Sequence, residues 1–150
     1  MSADNGPLHG VGVLVTRPAA QADALCQLIE QHGGEVYRFP VLEIRASDQP
    51  QALSAAIKRL DGYDWAFFVS ANAVDMALAR ILEQRNWPDA LRIAVVGKRS
   101  AAELERFGLR ADLVPEHKFN SEALLAMDEM QAVSGKRIVI VRGDGGREYL

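Results

Sequence analysis

The chain has 150 residues, 49% of them hydrophobic and 25% charged, with a formal net charge of −3. That is the composition of a soluble globular domain of ordinary size, and the acidic balance argues against a nucleic-acid partner. Its single cysteine, Cys26, excludes an internal disulfide and a cysteine-rich zinc site, and no apolar run approaches the ~20 residues of a membrane span, so a reducing cytoplasm is the natural setting.

The first ten residues have no basic-then-apolar leader pattern and read as a loose tail. Val11–Thr16 predicts the first strand, and Pro18 suits the opening of a helix. Ala22, Leu25, Cys26 and Ile29 share one face of that helix, which Gly33-Gly34 ends. Cys26 therefore reads as a small core residue before it reads as a reactive thiol. Val36–Phe39 and Val41–Arg45 each alternate like strands, but Pro40 stands between them, as in a linker or an edge. A turn over 46–50 leads to a helix with Leu53, Ala56, Ile57 and Leu60 on one face, ended by Asp61-Gly62.

Trp65–Val69 is a run of aromatic and β-branched character that suits a strand buried on both faces. Ser70 and Asn72 follow at once, then Val74, Ala77, Leu78 and Ile81 at helical spacing, in a helix that closes near Arg85-Asn86. Leu91–Val96 is the next strand, and Gly97–Ser100 opens a helix that closes at Gly108. Ala111–Val114 reads as a short strand and Pro115–Phe119 as a loop, whose His117 has no partner at ligand spacing. Asn120 or Ser121 can cap a helix carrying Leu124, Met127 and Met130. Ser134-Gly135 turns the chain into Arg137–Val141, Gly143–Gly146 is a glycine-rich turn, and Arg147–Leu150 starts like another helix, so a further C-terminal part is expected. The alternation predicts a mostly parallel sheet.

Several familiar sites are absent from the sequence. Gly10 and Gly12 precede the first strand instead of following it, so there is no dinucleotide fingerprint, and there is no Walker loop. A phosphoacceptor receiver would carry acidic residues where Thr16-Arg17 and Ser70 stand. No His/Cys/Asp cluster has metal spacing, and Ser70 is not in a Gly-x-Ser-x-Gly elbow. The strand ends instead collect hydroxyls, amides, glycines and basic side chains: Thr16, Arg17, Ser70, Asn72, Gly97, Lys98, Ser100, Arg142, Gly143 and Gly145. Such groups bind and orient anions, and ligands of open α/β sheets sit at this edge. Each also has a purely structural reading. Ser70 or Asn72 can be a helix cap only, Gly97 can serve close packing, and Arg17 can be a surface ion pair. The residues alone lead to an α/β protein with an anion-tolerant edge.

In order along the chain, Thr16-Arg17-Pro18, Phe39-Pro40 with Leu42-Glu43-Ile44, Phe68-Val-Ser70-Ala-Asn72-Ala-Val74, Val96-Gly97-Lys98-Arg99-Ser100, Leu113-Val-Pro115-Glu116, Ser121-Glu-Ala-Leu124 and Ile140-Val-Arg142-Gly143-Asp-Gly145 resemble uroporphyrinogen-III synthase of the bacterial type. Each motif is weak alone; their joint order is specific. Val69 stands where the family usually has threonine. The resemblance implies two flavodoxin-like, doubly wound parallel-sheet domains joined by a two-stranded linker, with the active cleft between them. Residues 1–36 would begin a discontinuous first domain, 37–46 would form the linker, and 47–150 would make a second domain short of its last helix and strand. The family's return-linker tyrosine is not matched by Tyr149.

The implied reaction closes hydroxymethylbilane to uroporphyrinogen III, inverting the last pyrrole ring through a spiro intermediate with loss of water. Closure without inversion needs no enzyme, so control lies in orientation, and the catalytic group stays unassigned. The implied protein is a cytoplasmic lyase, monomeric at full length, with a small-molecule substrate and no cofactor, metal, nucleic-acid or membrane partner; these 150 residues alone are expected to be inactive. The alternative is a non-catalytic flavodoxin-like module that binds an anionic small molecule.

Overall fold

The computed structural model describes residues 6–48 and 50–143. The chain divides after Ala46 into two compact units.

In the first unit, β1 (Gly12–Val15) pairs in parallel with β2 (Glu35–Arg38), joined by a 3-10 turn at Ala19–Gln21 and α1 (Asp23–Gln31). Pro18 caps the 3-10 turn, so the α-helix starts later than the proline suggests. Gly33, at φ +81°, takes the left-handed conformation that ends α1. Val15, Ala22, Cys26 and Ile29 are buried together, with Leu8, Val13, Leu25 and Val36 around them. Cys26 is thus a core residue. The opposite face of the two strands stays open: Leu14 and Tyr37, paired in register, are both more than half exposed.

β2 extends to Arg38, into the stretch expected to be linker. Val41–Arg45 is not a strand, although its side chains alternate. A strand needs a neighbour for its N–H and C=O groups, and the one backbone bond described for this stretch is from the Val41 N–H to the Thr16 carbonyl at 3.2 Å. Val41, Leu42 and Ile44 are exposed.

The second unit contains α2 (Pro50–Lys58), a 3-10 turn (Leu60–Gly62), β3 (Trp65–Phe68), α3 (Ala71–Leu82), β4 (Arg92–Val95), α4 (Lys98–Arg106), α5 (Ser121–Leu125), α6 (Asp128–Gln131) and β5 (Ile138–Val141). The strands are parallel in the order β4-β3-β5. The stretch expected as a strand over 111–114 makes one parallel bridge, Leu113 to Ala94, on the outer side of β4. Strand order therefore runs outward from β3 through β4 to Leu113, then reverses to β5.

β3 is buried along its whole length, as its apolar run demands. Its alternate side chains serve two cores. Ala66 and Phe68 join Val74, Ala77, Leu78, Ile81, Ile93, Val95 and Leu104 on the face covered by α3 and α4. Trp65 and Phe67 join Ala94, Leu113, Leu124 and Met130 on the other. At about 1.5–3 kcal/mol for each large buried apolar side chain, this doubly covered strand anchors the unit.

The predicted helix through Leu124, Met127 and Met130 is two short helices. Met127 adopts an extended conformation (φ −74°, ψ 145°) between them. In one continuous helix, residues six apart point about 120° away from each other at 3.6 residues per turn. The break lets Leu124 and Met130 reach the same core, with Met127 packed beside them.

Candidate functional site

The carboxyl ends of the three strands are level. Phe68 pairs with Val95 on one side and Val141 on the other. Counting two residues on from each gives Ser70, Gly97 and Gly143, so the chain leaves all three strands at the same height. With neighbouring strands about 4.8 Å apart, these exits lie within about 10 Å of one another.

Two of them open helices. Ser70 is the N-cap of α3: its side chain accepts a hydrogen bond from the Ala73 N–H at 3.1 Å. Gly97 is the N-cap of α4 in an extended conformation and offers no side chain to the helix. Neither first turn contains an acidic residue. The first turn of α4 instead carries Lys98 and Arg99, against the preference for negative charge at a helix N-terminus, each at a cost of about 0.3–1 kcal/mol. Uncompensated local penalties of this kind gather at functional edges.

The other expected residues divide. Asn72 is half-buried in the first turn of α3, Lys98 is exposed, and Arg142 and Gly143 are exposed directly after β5. Ser100 is 4% exposed and belongs to the packed side of α4, because the third helical position turns under the sheet edge. It is therefore not presented with Ser70 and Gly97. Thr16 and Arg17 follow β1 in the other unit. Gly145, and with it Arg147, lies outside the described residues.

A residue that the sequence reading passed over as part of a loop stands at the same edge. Phe119 lies on Gly97: a Cβ added to the glycine would come within 3.3 Å of the phenylalanine Cβ. The Lys98 ammonium is 5.6 Å from its ring centroid. Next to it, Asn120 caps α5 by accepting the Ala123 N–H at 2.9 Å. The signal for Phe119 was compositional only, a large apolar residue in an otherwise polar loop.

The displaced carboxylates are at the opposite edge. The backbone N–H of Arg137 and then the Lys136 ammonium hold Asp64 below the usual carboxylate range, tying the start of β3 to the start of β5. Asp61 is lowered by its two-pronged bond to Arg85, at 2.6 Å on each oxygen. A concavity of about 380 Å³ at this edge is lined by Lys58, Arg59, Asp61, Gly62, Tyr63 and Arg137. Another of about 560 Å³ lies under the Pro115–Lys118 loop and α5. Neither includes Ser70, Gly97 or Gly143. The carboxyl edge has the stronger physical case, because helix N-termini and strand carboxyl ends converge there, whereas the first concavity adjoins the C-terminal end of α2 and the starts of β3 and β5. Among the described residues no group of His, Cys, Asp and Glu could hold a metal ion, and no helix is long and apolar enough to cross a membrane.

The family profile described as uroporphyrinogen-III synthase HemD matches residues 23–150. The chain belongs to the uroporphyrinogen-III synthase family. It is 32% identical over 141 residues to the uroporphyrinogen-III synthase of Proteus mirabilis, covering 93% of this chain and 71% of the relative. The Salmonella typhimurium enzyme of that name is 34% identical, with 93% and 57% covered. The one from Synechococcus elongatus is 35% identical over 147 residues, with 96% and 55% covered. The chain thus spans little more than half the length of most of these synthases.

Proposed function

We propose that this chain supplies tetrapyrrole-binding elements of a uroporphyrinogen-III synthase, a lyase that closes hydroxymethylbilane to uroporphyrinogen III with inversion of the last ring and loss of water. The observation that carries the reading is the level edge formed by Ser70, Gly97 and Gly143, in a chain of this family. Backbone N–H groups of two capped helices and the cations Lys98, Arg99 and Arg142 suit the carboxylates of a tetrapyrrole. Holding those carboxylates fixes which pyrrole carbon meets the reactive methylene, which is the whole of the selectivity problem. Asn72 belongs to this group as a first-turn amide. Thr16, Arg17 and Gly145 are included in the proposed substrate-binding set on the family resemblance of their motifs. Ser100 supports the α4 turn from beneath.

The proposal includes two flavodoxin-like, doubly wound domains, residues 1–36 beginning the first, 37–46 crossing and 47–150 belonging to the second. Parallel strands in each unit support it. It also includes a cytoplasmic, monomeric full-length protein that works on a small molecule without cofactor or metal.

Incubating the protein expressed from its complete reading frame with freshly prepared hydroxymethylbilane, then separating the isomers, tests the reading. Type III product is expected. Type I product alone, at the rate seen without protein, favours the non-catalytic binding module instead. Residues 1–150 by themselves are expected to leave type I as the product, since they match only 55–71% of the length of the synthases compared.

A further inference from the structure

Resting on that reading, we infer that Phe119 is a positioning residue, whose ring lies against a pyrrole ring of the substrate while Lys98 takes one of that ring's carboxylates. Three observations point the same way. Phe119 is 51% exposed, although the apolar side chains of the neighbouring strands β3 and β4 are almost wholly buried. It is held at the carboxyl edge because the side of the Gly97 turn has no Cβ to push it off. Lys98 stands 5.6 Å from the ring centroid, near the outer limit of a cation–π contact, so this weak contact leaves its ammonium able to pair with an anion. An aromatic face, an ammonium and a helix N-terminus within one turn recognise a flat, electron-rich ring that bears acidic arms. A hydrophobic residue needed only to cover Gly97 could be aliphatic and would bury more of its surface.

The packing role and the stacking role predict different outcomes for Phe119→Leu, which keeps apolar cover on Gly97 and removes the π face. The test uses the protein expressed from its complete reading frame with two probes: uroporphyrin III, the stable aromatic octacarboxylate, and butane-1,2,3,4-tetracarboxylate, which has charge without a ring. Titration calorimetry of wild type, Phe119→Leu and Phe119→Tyr is expected to show uroporphyrin affinity falling roughly tenfold in the leucine variant and staying within about threefold in the tyrosine variant. Tetracarboxylate binding is expected to be the same in all three. Equal uroporphyrin affinity in wild type and Phe119→Leu overturns the inference and leaves the function reading standing. A wild-type chain that binds the tetracarboxylate and not uroporphyrin overturns both. Should the leucine variant fold poorly, the wild-type protein still decides: with carbon-13-labelled phenylalanine, bound uroporphyrin shifts the Phe119 ring signals through its ring current, and unshifted signals at saturation overturn the inference.

Discussion

Replacing Ser70 by aspartate separates two roles that the serine combines. The Ser70 hydroxyl accepts the Ala73 N–H and caps a helix whose Val74, Ala77, Leu78 and Ile81 are all buried in the larger core. Ser70→Ala removes that acceptor and costs about 1 kcal/mol, which for a unit of this size lowers the melting temperature by roughly 4–8 °C. Ser70→Asp keeps the cap, since aspartate ranks with serine at this position, and its charge gains about 0.3–1 kcal/mol from the helix N-terminus. The melting temperature should therefore be equal to wild type or slightly higher. Ligand binding should go the other way. A carboxylate fixed about 5 Å from a substrate carboxylate repels it by about 1–3 kcal/mol, for effective dielectric constants between those of water and of a protein surface. Affinity for uroporphyrin III should fall between roughly five- and 150-fold. Thermal melts and titration calorimetry on the three proteins give both numbers. An aspartate variant that is stable and binds like wild type would show that Ser70 is a cap alone and that the anion site lies elsewhere.

Other outcomes follow from the same geometry. Phe68→Ala should destabilise the second unit by about 3–5 kcal/mol, read by urea unfolding, because the ring is fully buried between the sheet and two helices. Ser100→Ala should leave uroporphyrin affinity within about twofold, since its side chain is packed under α4 and not presented at the edge. Asp64 has a folded pKa below its unfolded value, so its contribution to stability is present above the unfolded pKa and lost as pH falls through the folded one. Unfolding measured from about pH 5 downward should accordingly show a flatter acid loss in Asp64→Asn than in wild type.

What was legible in the sequence is local. The apolar run Trp65–Phe68 could only be a strand covered on both faces, and a serine directly before an apolar helical pattern is a cap. Glycines at the ends of α1 and α4 marked those ends, and both have positive φ. What was not legible is what depends on partners distant in the chain. The level ends of β3, β4 and β5 depend on register, which no single segment encodes. Val41–Arg45 alternates like a strand, but among the described residues its one described backbone bond is from the Val41 N–H to the Thr16 carbonyl. The break at Met127 carries no glycine or proline and arises from two side chains competing for one core. At the site, Ser70, Gly97, Lys98 and Gly143 were recognisable as polar or small residues after strands. Ser100, the third residue of α4, is buried, which its place in the Gly97–Ser100 run did not signal. Phe119 was missed because a lone aromatic in a loop has no periodicity, and its contact with Gly97 is a tertiary one.

The central claim is that the carboxyl edge of β3, β4 and β5 binds tetrapyrrole carboxylates through backbone N–H groups. Amide nitrogen–proton spectra of the nitrogen-15-labelled chain, recorded during titration with uroporphyrin III, test it most directly. The account predicts shifts concentrated in the amides of Ser70–Ala73, Gly97–Arg99 and Gly143, with Asp61–Asp64 at the opposite edge unchanged. Shifts centred on Lys58, Arg59 and Arg137 with the Ser70 and Gly97 amides unmoved would contradict it, and would place the anion site at the other end of the sheet.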